Sequence, residues 1–392
     1  MKLKEICEYI SDRVAVTAVS KENYISTENM AQNKGGVTRS SSIPSSGVVI
    51  RYTTDDILIS NIRPYFKKIW QADKTGGCSA DVLCNRAKNH IDSTFLYYLL
   101  SQDAFFEYVM TGAKGCKMPR GDKGHIMDWE IDIPENKSEQ TAIGQCLKML
   151  DKKIEINKQI NDNLEQQAQA LYKSWFVDFE PFEDGEFVES EMGEIPVGWT
   201  VVKFSDLTEI PKKTINPQKF PETIFKHYSL PACDNGLIPE NQTGKDIMSN
   251  KIILQNNTTL FSKLNPRIKR IWFTCEVQPN SICSTEFIPY RATNENESGY
   301  IFSIINSEAF YASVMGCVNG ATGSHQRFHA EDTNDFLCAY NKEAVNEFSQ
   351  HIDIILKKMH DLRQENVKLA SMRDTLLPKL MSGELKINEI DC

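Results

Sequence analysis

Two short stretches carry the side chains from which binding chemistry could be built. Residues 112–123 set Lys114, Lys117, Arg120 and Lys123 among Gly112, Gly115 and Gly121. Residues 320–327 place Ser324, His325, Gln326 and Arg327 behind Gly320 and Gly323. Glycines let backbone N–H groups approach phosphate oxygens, while Arg, Lys, Gln and Ser reach phosphates or base edges. Lys67, Lys68, Lys269 and Arg270 add cations at matching places upstream of each loop. Solvated turns with ordinary surface lysines would look the same at any single position. Recurrence of the whole pattern argues for contact with a polyanion.

Patterns for bond-making chemistry are missing. A methyltransferase needs a Gly-rich loop for S-adenosylmethionine and an Asn-Pro-Pro-aromatic motif, and Asn265-Pro266-Arg267-Ile268 lacks the second proline. A metal-dependent nuclease needs an acid on one strand and Glu-x-Lys on the next, to share a cation and activate water. Here Glu135-Asn136-Lys137 follows Asp132 too closely. Cys317, His325 and His329 offer an H-x3-H spacing without an evident fourth metal ligand. With no Walker loop, no G-x-S-x-G and no paired carboxylates in both halves, the chain reads as non-catalytic, with no metal or cofactor of its own.

The elements that carry the loops occur twice. Tyr24-Ile25-Ser26 matches His227-Tyr228-Ser229, and residues 64–70 (PYFKKIW) match 266–272 (PRIKRIW) at an offset of 202. Cys78-Ser79-Ala80-Asp81 then matches Cys283-Ser284-Thr285-Glu286, and 95–110 matches 300–315, at an offset of 205. A drift of three residues is what small loop insertions in a duplicated unit would give. Within each copy, 48–52 and 57–60 read as strands, 94–110 as one helix, and 131–134 as the last strand.

Each copy ends in a long amphipathic helix. Ile143, Leu147, Leu150, Ile154, Asn157, Asn161, Leu164, Ala168, Leu171 and Trp175 follow a 4-3-4-3 spacing, which places one seam on a helix. Moving on by 205 gives Phe348, Ile352, Ile355, Met359, Leu362, Asn366, Leu369, Arg373, Leu376 and Leu380. Asn161 and Asn366 align, and an Asn in such a seam fixes register at some cost in packing. Helices of this length run roughly 55 Å. Parallel pairing would stretch the connector 179–196 nearly straight over about 59 Å, so the pairing should be antiparallel, with Pro378 ending the second helix. Leu171, Trp175 and Phe176 with Leu376 and Leu380 should pack the helix ends together or against a partner.

The expected fold is therefore mixed α/β: two tandem-repeat globular domains separated by two long helices that form an antiparallel intramolecular coiled coil. The divisions are 1–139, first domain; 140–179, first helix; 180–195, acidic linker; 196–342, second domain; 343–381, second helix; and 382–392, tail. A chain of 392 residues with 41% hydrophobic content can bury two cores. Its net charge of −9 argues at first against a polyanionic partner, but residues 174–202 hold eight acids and no Lys or Arg, and without them the charge is −1. The eleven cysteines are scattered, without C-x-x-C, as expected of buried reduced thiols. No apolar run has the length of a membrane span or signal peptide, so a cytoplasmic protein is expected.

The sequence resembles the specificity subunits of type I restriction-modification enzymes over nearly its whole length. The resemblance rests on YISTENM (24–30), LYKSWFVDF (171–179), IPVGW (195–199) and LLPKLMSGEL (376–385). It implies two target-recognition domains, each reading half of a split double-stranded DNA sequence, and helices that dock two methyltransferase subunits, joined by restriction (translocase) subunits. S-adenosylmethionine, ATP and magnesium would then sit on the partners. The half-sites should be unlike each other, with centres within about 16 base pairs, from roughly 55 Å of helix at 3.4 Å per step. The alternative is a two-headed scaffold for protein partners with no DNA readout, which leaves both basic loops idle.

Overall fold

The computed structural model describes residues 1–318 and 326–387. The chain divides into two compact units, Met1–Ile154 with Lys368–Cys392, and Glu155–Val367. Both long helices are continuous, Lys137–Phe176 and Lys342–Met381, and each contributes residues to both units.

The first unit holds two four-stranded sheets. One is antiparallel, in the order Cys7–Tyr9, Val82–Ala87, Ile57–Ser60, Ile69–Gln71. The other runs Arg13–Ala15, Val48–Tyr52, Gly76–Cys78, Tyr24–Ile25, its last pair parallel. All four residues of Ile57–Ser60 are buried, as befits a central strand covered on both faces. The second unit repeats both sheets in the same order and adds Glu240–Thr243 as a fifth strand on the second.

Where one helix was expected over 94–110 there are two, Ser93–Ser101 and Asp103–Thr111, because Gln102 is extended at φ −65° and ψ 145°. Ser307 breaks the equivalent pair in the same conformation, and its hydroxyl accepts a hydrogen bond from the Phe310 N–H at 3.2 Å. The break lets Phe95, Leu96, Leu99 and Leu100 on the first helix and Phe105, Phe106 and Val109 on the second enter one core.

Residues 131–134 are not a strand. Met1 and Ile131 exchange backbone hydrogen bonds at 2.8 and 2.9 Å and Lys2 bridges Glu130, a ladder too short to count. The equivalent Leu337–Tyr340 pairs with the full strand Thr200–Lys203. The acidic stretch is also more ordered than a solvated linker, since Phe187–Ser190 and Gly193–Pro196 form a hairpin.

Within each unit the long helices run antiparallel. In the first, the Arg373 guanidinium donates to Asp151 at 2.6 Å, and Asp151 also accepts from the Tyr98 hydroxyl at 2.7 Å. In the second, the Asn157 amide donates to Asn366 and Glu365, each at 2.9 Å. Asn366 therefore meets Asn157 across the seam, while Asn161, its repeat equivalent, is 8% exposed with its side-chain oxygen unpaired. The second helix continues through Pro378 to Met381, the end of the expected division 343–381, so the proline does not itself stop it. Leu377, Leu380 and Met381 are buried in the first unit's core, which holds the last turn despite the missing N–H.

Asp353 of the second unit is a partly buried acid. A Cβ on Gly299 would lie 3.0 Å from the Asp353 carboxylate, and burial raises the Asp353 pKa from 3.8 to about 6. The folded form thus holds this proton more tightly than the unfolded chain, so stability present below the unfolded value is lost as pH rises through about 6. After allowance for partial exposure, Asp353→Asn is expected to stabilise the protein by about 1–2 kcal/mol at pH 7.5 and by little at pH 4. Equal denaturation midpoints for both proteins at pH 7.5 would contradict this.

Candidate nucleic-acid interface

In the first unit, strand Ile57–Ser60 runs into a turn that requires left-handed backbone at Arg63 (φ 50°) and Lys67 (φ 49°) around Pro64–Phe66. Ser60 closes it, its N–H donating to Lys68 O at 3.0 Å and its hydroxyl to Ile62 O at 3.1 Å. The basic loop lies against this turn. The Arg63 N–H donates to Pro119 O at 2.8 Å, and the Gly121 N–H to Asn61 O at 3.3 Å. Lys114 and Arg120 exchange two backbone hydrogen bonds of 2.9 Å, leaving Cys116, Lys117 and Met118 exposed at the tip.

Behind the tip, Asp122 accepts from the N–H groups of Gly124 and His125 and from the Lys114 ammonium at 2.7 Å. Lys114 and these N–H groups hold the Asp122 carboxyl down at about 2. A Cβ on Gly121 would meet Asn61, Ile126 and Val109 side-chain atoms at 2.9 Å each. Gly121→Ala is expected to cost about 1–3 kcal/mol by overpacking and to displace the loop. Denaturant unfolding together with selection from random duplexes checks this: information should be lost in one half-site only.

The second unit builds the same joint from different residues. The Ser262 N–H donates to Arg270 O at 3.1 Å, its hydroxyl to Leu264 O at 3.1 Å, and the Asn265 N–H (φ 48°) to Gln326 O at 2.8 Å. Arg120 forms an antiparallel bridge with Ile62, as Arg327 does with Leu264. Each arginine meets an acid at the same repeat position: Arg120 lies 3.0 Å from Asp81, and Arg327 lies 3.2 Å from Glu286. These acids were not anticipated as site residues. The matching blocks ending in Asp81 and Glu286 were the available signal, but pairing them with arginines about 40 positions away needed the fold.

The remaining cations divide by surroundings. Lys68 donates to Thr27 O at 2.6 Å and Lys269 to Asn306 O at 2.6 Å, and burial lowers the pKa of both. Arg270 makes two hydrogen bonds to Asp234, at 2.6 and 2.9 Å. Lys67 pairs with Asp103 at 2.9 Å. Lys123 lies 5.9 Å from the centre of the Tyr9 ring, and Lys117 is exposed with no ion pair among the described residues. Gln326 is half-buried, its side-chain oxygen unpaired. Ser324 and His325 lie outside the described residues, and with them the H-x3-H spacing to His329. Among the described residues no group of three or more His, Cys, Asp or Glu could hold a metal ion.

Residues 1–166 match the model of the type I restriction modification DNA specificity domain. The MjaIX specificity subunit of Methanocaldococcus jannaschii is 25% identical over 320 residues, covering 77% of this chain and 71% of that protein. The HindI specificity subunit of Haemophilus influenzae is 23% identical, with 84% and 86% covered. This chain is similar over most of its length to type I restriction enzyme specificity subunits. The crystal structure of a type I system S subunit from M. genitalium shares its fold, with a TM-score of 0.56 at 15% identity over 97% of this chain and 95% of the other.

In this chain the helix seam is mostly used internally. Phe176, Met359, Leu380 and Asn161 are buried, and Leu150, Ile154, Leu164, Leu171, Trp175, Ile355, Asn366, Leu369 and Leu376 are half-buried. Leu171, Trp175 and Phe176 pack in the second unit's core, and Leu376 and Leu380 in the first's. The apolar side chains exposed on the helices are others: Met149 (56%), Ile156 and Ile160 on the first, Ile354 (70%), Val367 and Met372 on the second. No helix among the described residues is long and apolar enough to cross a membrane.

Proposed function

We propose that this chain is the sequence-reading, non-catalytic subunit of a type I restriction-modification complex, in which each unit reads one half of a split, asymmetric DNA target. The observation that carries this reading is the repeated joint between turn and loop, which offers an exposed arginine in each unit. DNA contact falls to Lys114, Lys117, Arg120, Lys123, Gln326 and Arg327, joined by Lys67, Ser324 and His325. Lys68, Lys269 and Arg270 shape the turns, since their donors are already engaged.

Two methyltransferase subunits dock on the helices, and restriction subunits join that core in the cytoplasm. S-adenosylmethionine, ATP and magnesium belong to those partners. Met149 and Ile354 occupy the same repeat position on the two helices and are both exposed, which suits two copies of one partner. The test is to co-express the chain with the methyltransferase encoded beside it, purify the complex and sequence the duplexes it selects from a random pool. A split motif with a fixed gap is expected; an intact stoichiometric complex that enriches nothing would overturn the reading.

A further inference from the structure

The two loop arginines differ from every other cation of the candidate interface in being exposed yet held by an acid from a neighbouring strand end. Side-chain exposure is 57% for Arg120 and 47% for Arg327. Glu286 grips Arg327 from the side: its two oxygens accept from Nε and Nη2, both at 3.2 Å. The acid is itself fixed, because its carbonyl accepts from the Lys263 N–H at 2.9 Å and its N–H donates to the Ser284 hydroxyl at 3.2 Å. In the first unit the shorter Asp81 touches only Nη2 of Arg120, and its carbonyl accepts from the Asn61 N–H at 2.8 Å.

A guanidinium has two edges that can donate pairs of parallel hydrogen bonds. With the Nε edge of Arg327 occupied, the end fork of Nη1 and Nη2 remains for a ligand. An adjacent carboxylate offsets the cation's attraction for phosphate and repels the phosphate itself, but leaves the donors intact for neutral acceptors. The acceptor pair that fits such a fork in duplex DNA is O6 and N7 of guanine, on the major-groove edge. Holding the side chain in place beforehand also lowers the ordering cost of that contact.

We propose that Glu286 and Asp81 are positioning residues that aim Arg327 and Arg120 at base edges, so that each half of the target contains a G·C pair read on its guanine. This rests on the DNA-binding reading of the same loops. Phosphate contacts come from the lysines at the loop tip and flanks, and sequence discrimination from the two arginine–acid pairs. The side-on grip in the second unit gives the sharper requirement, because one contact from Asp81 restrains Arg120 less.

The experiment uses the complex of the full chain with its methyltransferase. Wild type, R327A and E286Q are each put through selection from the random duplex pool, and wild type and R327A are then titrated with selected duplexes carrying 7-deazaguanine, which lacks N7, at each guanine in turn. At one guanine of one half-site, 7-deazaguanine should weaken wild-type binding by about tenfold and R327A binding no further. E286Q should reduce discrimination at that same position by about tenfold while binding mismatched duplexes as tightly as wild type or tighter, since it removes a negative charge. A merely structural role for Glu286 would weaken binding to all sequences together.

If R327A and E286Q lower affinity for all sequences alike and leave the motif unchanged, Arg327 is a phosphate contact: the inference fails and the interface stands. If R327A changes neither affinity nor motif, the interface reading itself fails. A wild-type motif with no invariant guanine in either half-site also overturns the inference, without reference to any variant.

Discussion

Replacing Phe176 with alanine is expected to destabilise the second unit by about 3–5 kcal/mol. The ring is 3% exposed and ends the first long helix in an aromatic cluster. Its centre lies 4.5 Å from Tyr300, 4.9 Å from Phe348, 5.5 Å from Trp199 and 5.6 Å from Tyr172. Those partners come from a globular helix, the second long helix, the segment before strand Thr200–Lys203, and the preceding turn of the same long helix. Each is anchored elsewhere, so the space left by the ring cannot close, and a cavity term adds to the lost transfer energy. Urea unfolding followed by tryptophan fluorescence measures the change, with Val177→Ala, 54% exposed, as a control expected within about 0.5 kcal/mol of wild type. A loss of under about 1 kcal/mol for Phe176→Ala would mean that the cluster repacks, and would remove the helix end as an anchor.

The second large effect is on binding. Replacing Lys114, Lys117 and Lys123 together with glutamine is expected to flatten the slope of log affinity against log salt by about 2.7, at roughly 0.9 for each phosphate that the loop no longer neutralises. At 0.2 M salt this corresponds to a loss on the order of a hundredfold. Titration of the complex at several salt concentrations checks it, and an unchanged slope would remove the loop's lysines from the DNA interface. The net charge of −9 is no obstacle, because the acids concentrated in residues 174–202 lie apart from these loops in the sequence.

Much of the fold was legible. The strands Val48–Tyr52 and Ile57–Ser60 and the two long helices follow from β-branched runs and from a 4-3-4-3 seam, which are local signals. Gln102 hid its helix break because the residues on both sides keep an apolar helical pattern, and the break is decided by how the two halves enter the core. Pro378 misled in the other direction: its local cost is real, but three buried neighbours hold the turn. At the candidate site the glycines, the cations and their recurrence could be read from the chain. That Lys68, Lys269 and Arg270 spend their donors internally could not, because Thr27, Asn306 and Asp234 are 36 to 41 positions away.

The sequence by itself determined the duplication, the mixed α/β class, the antiparallel helices and the likeness to type I specificity subunits, because each is written in periodicity, spacing or a block of matched residues. The tertiary structure alone decided that Asn157 rather than Asn161 meets Asn366, and that each loop arginine is gripped by Asp81 or Glu286. Such pairings depend on angstrom-scale placement of elements distant in the chain. A helical or strand period fixes the face on which a side chain lies, but not its partner across the gap.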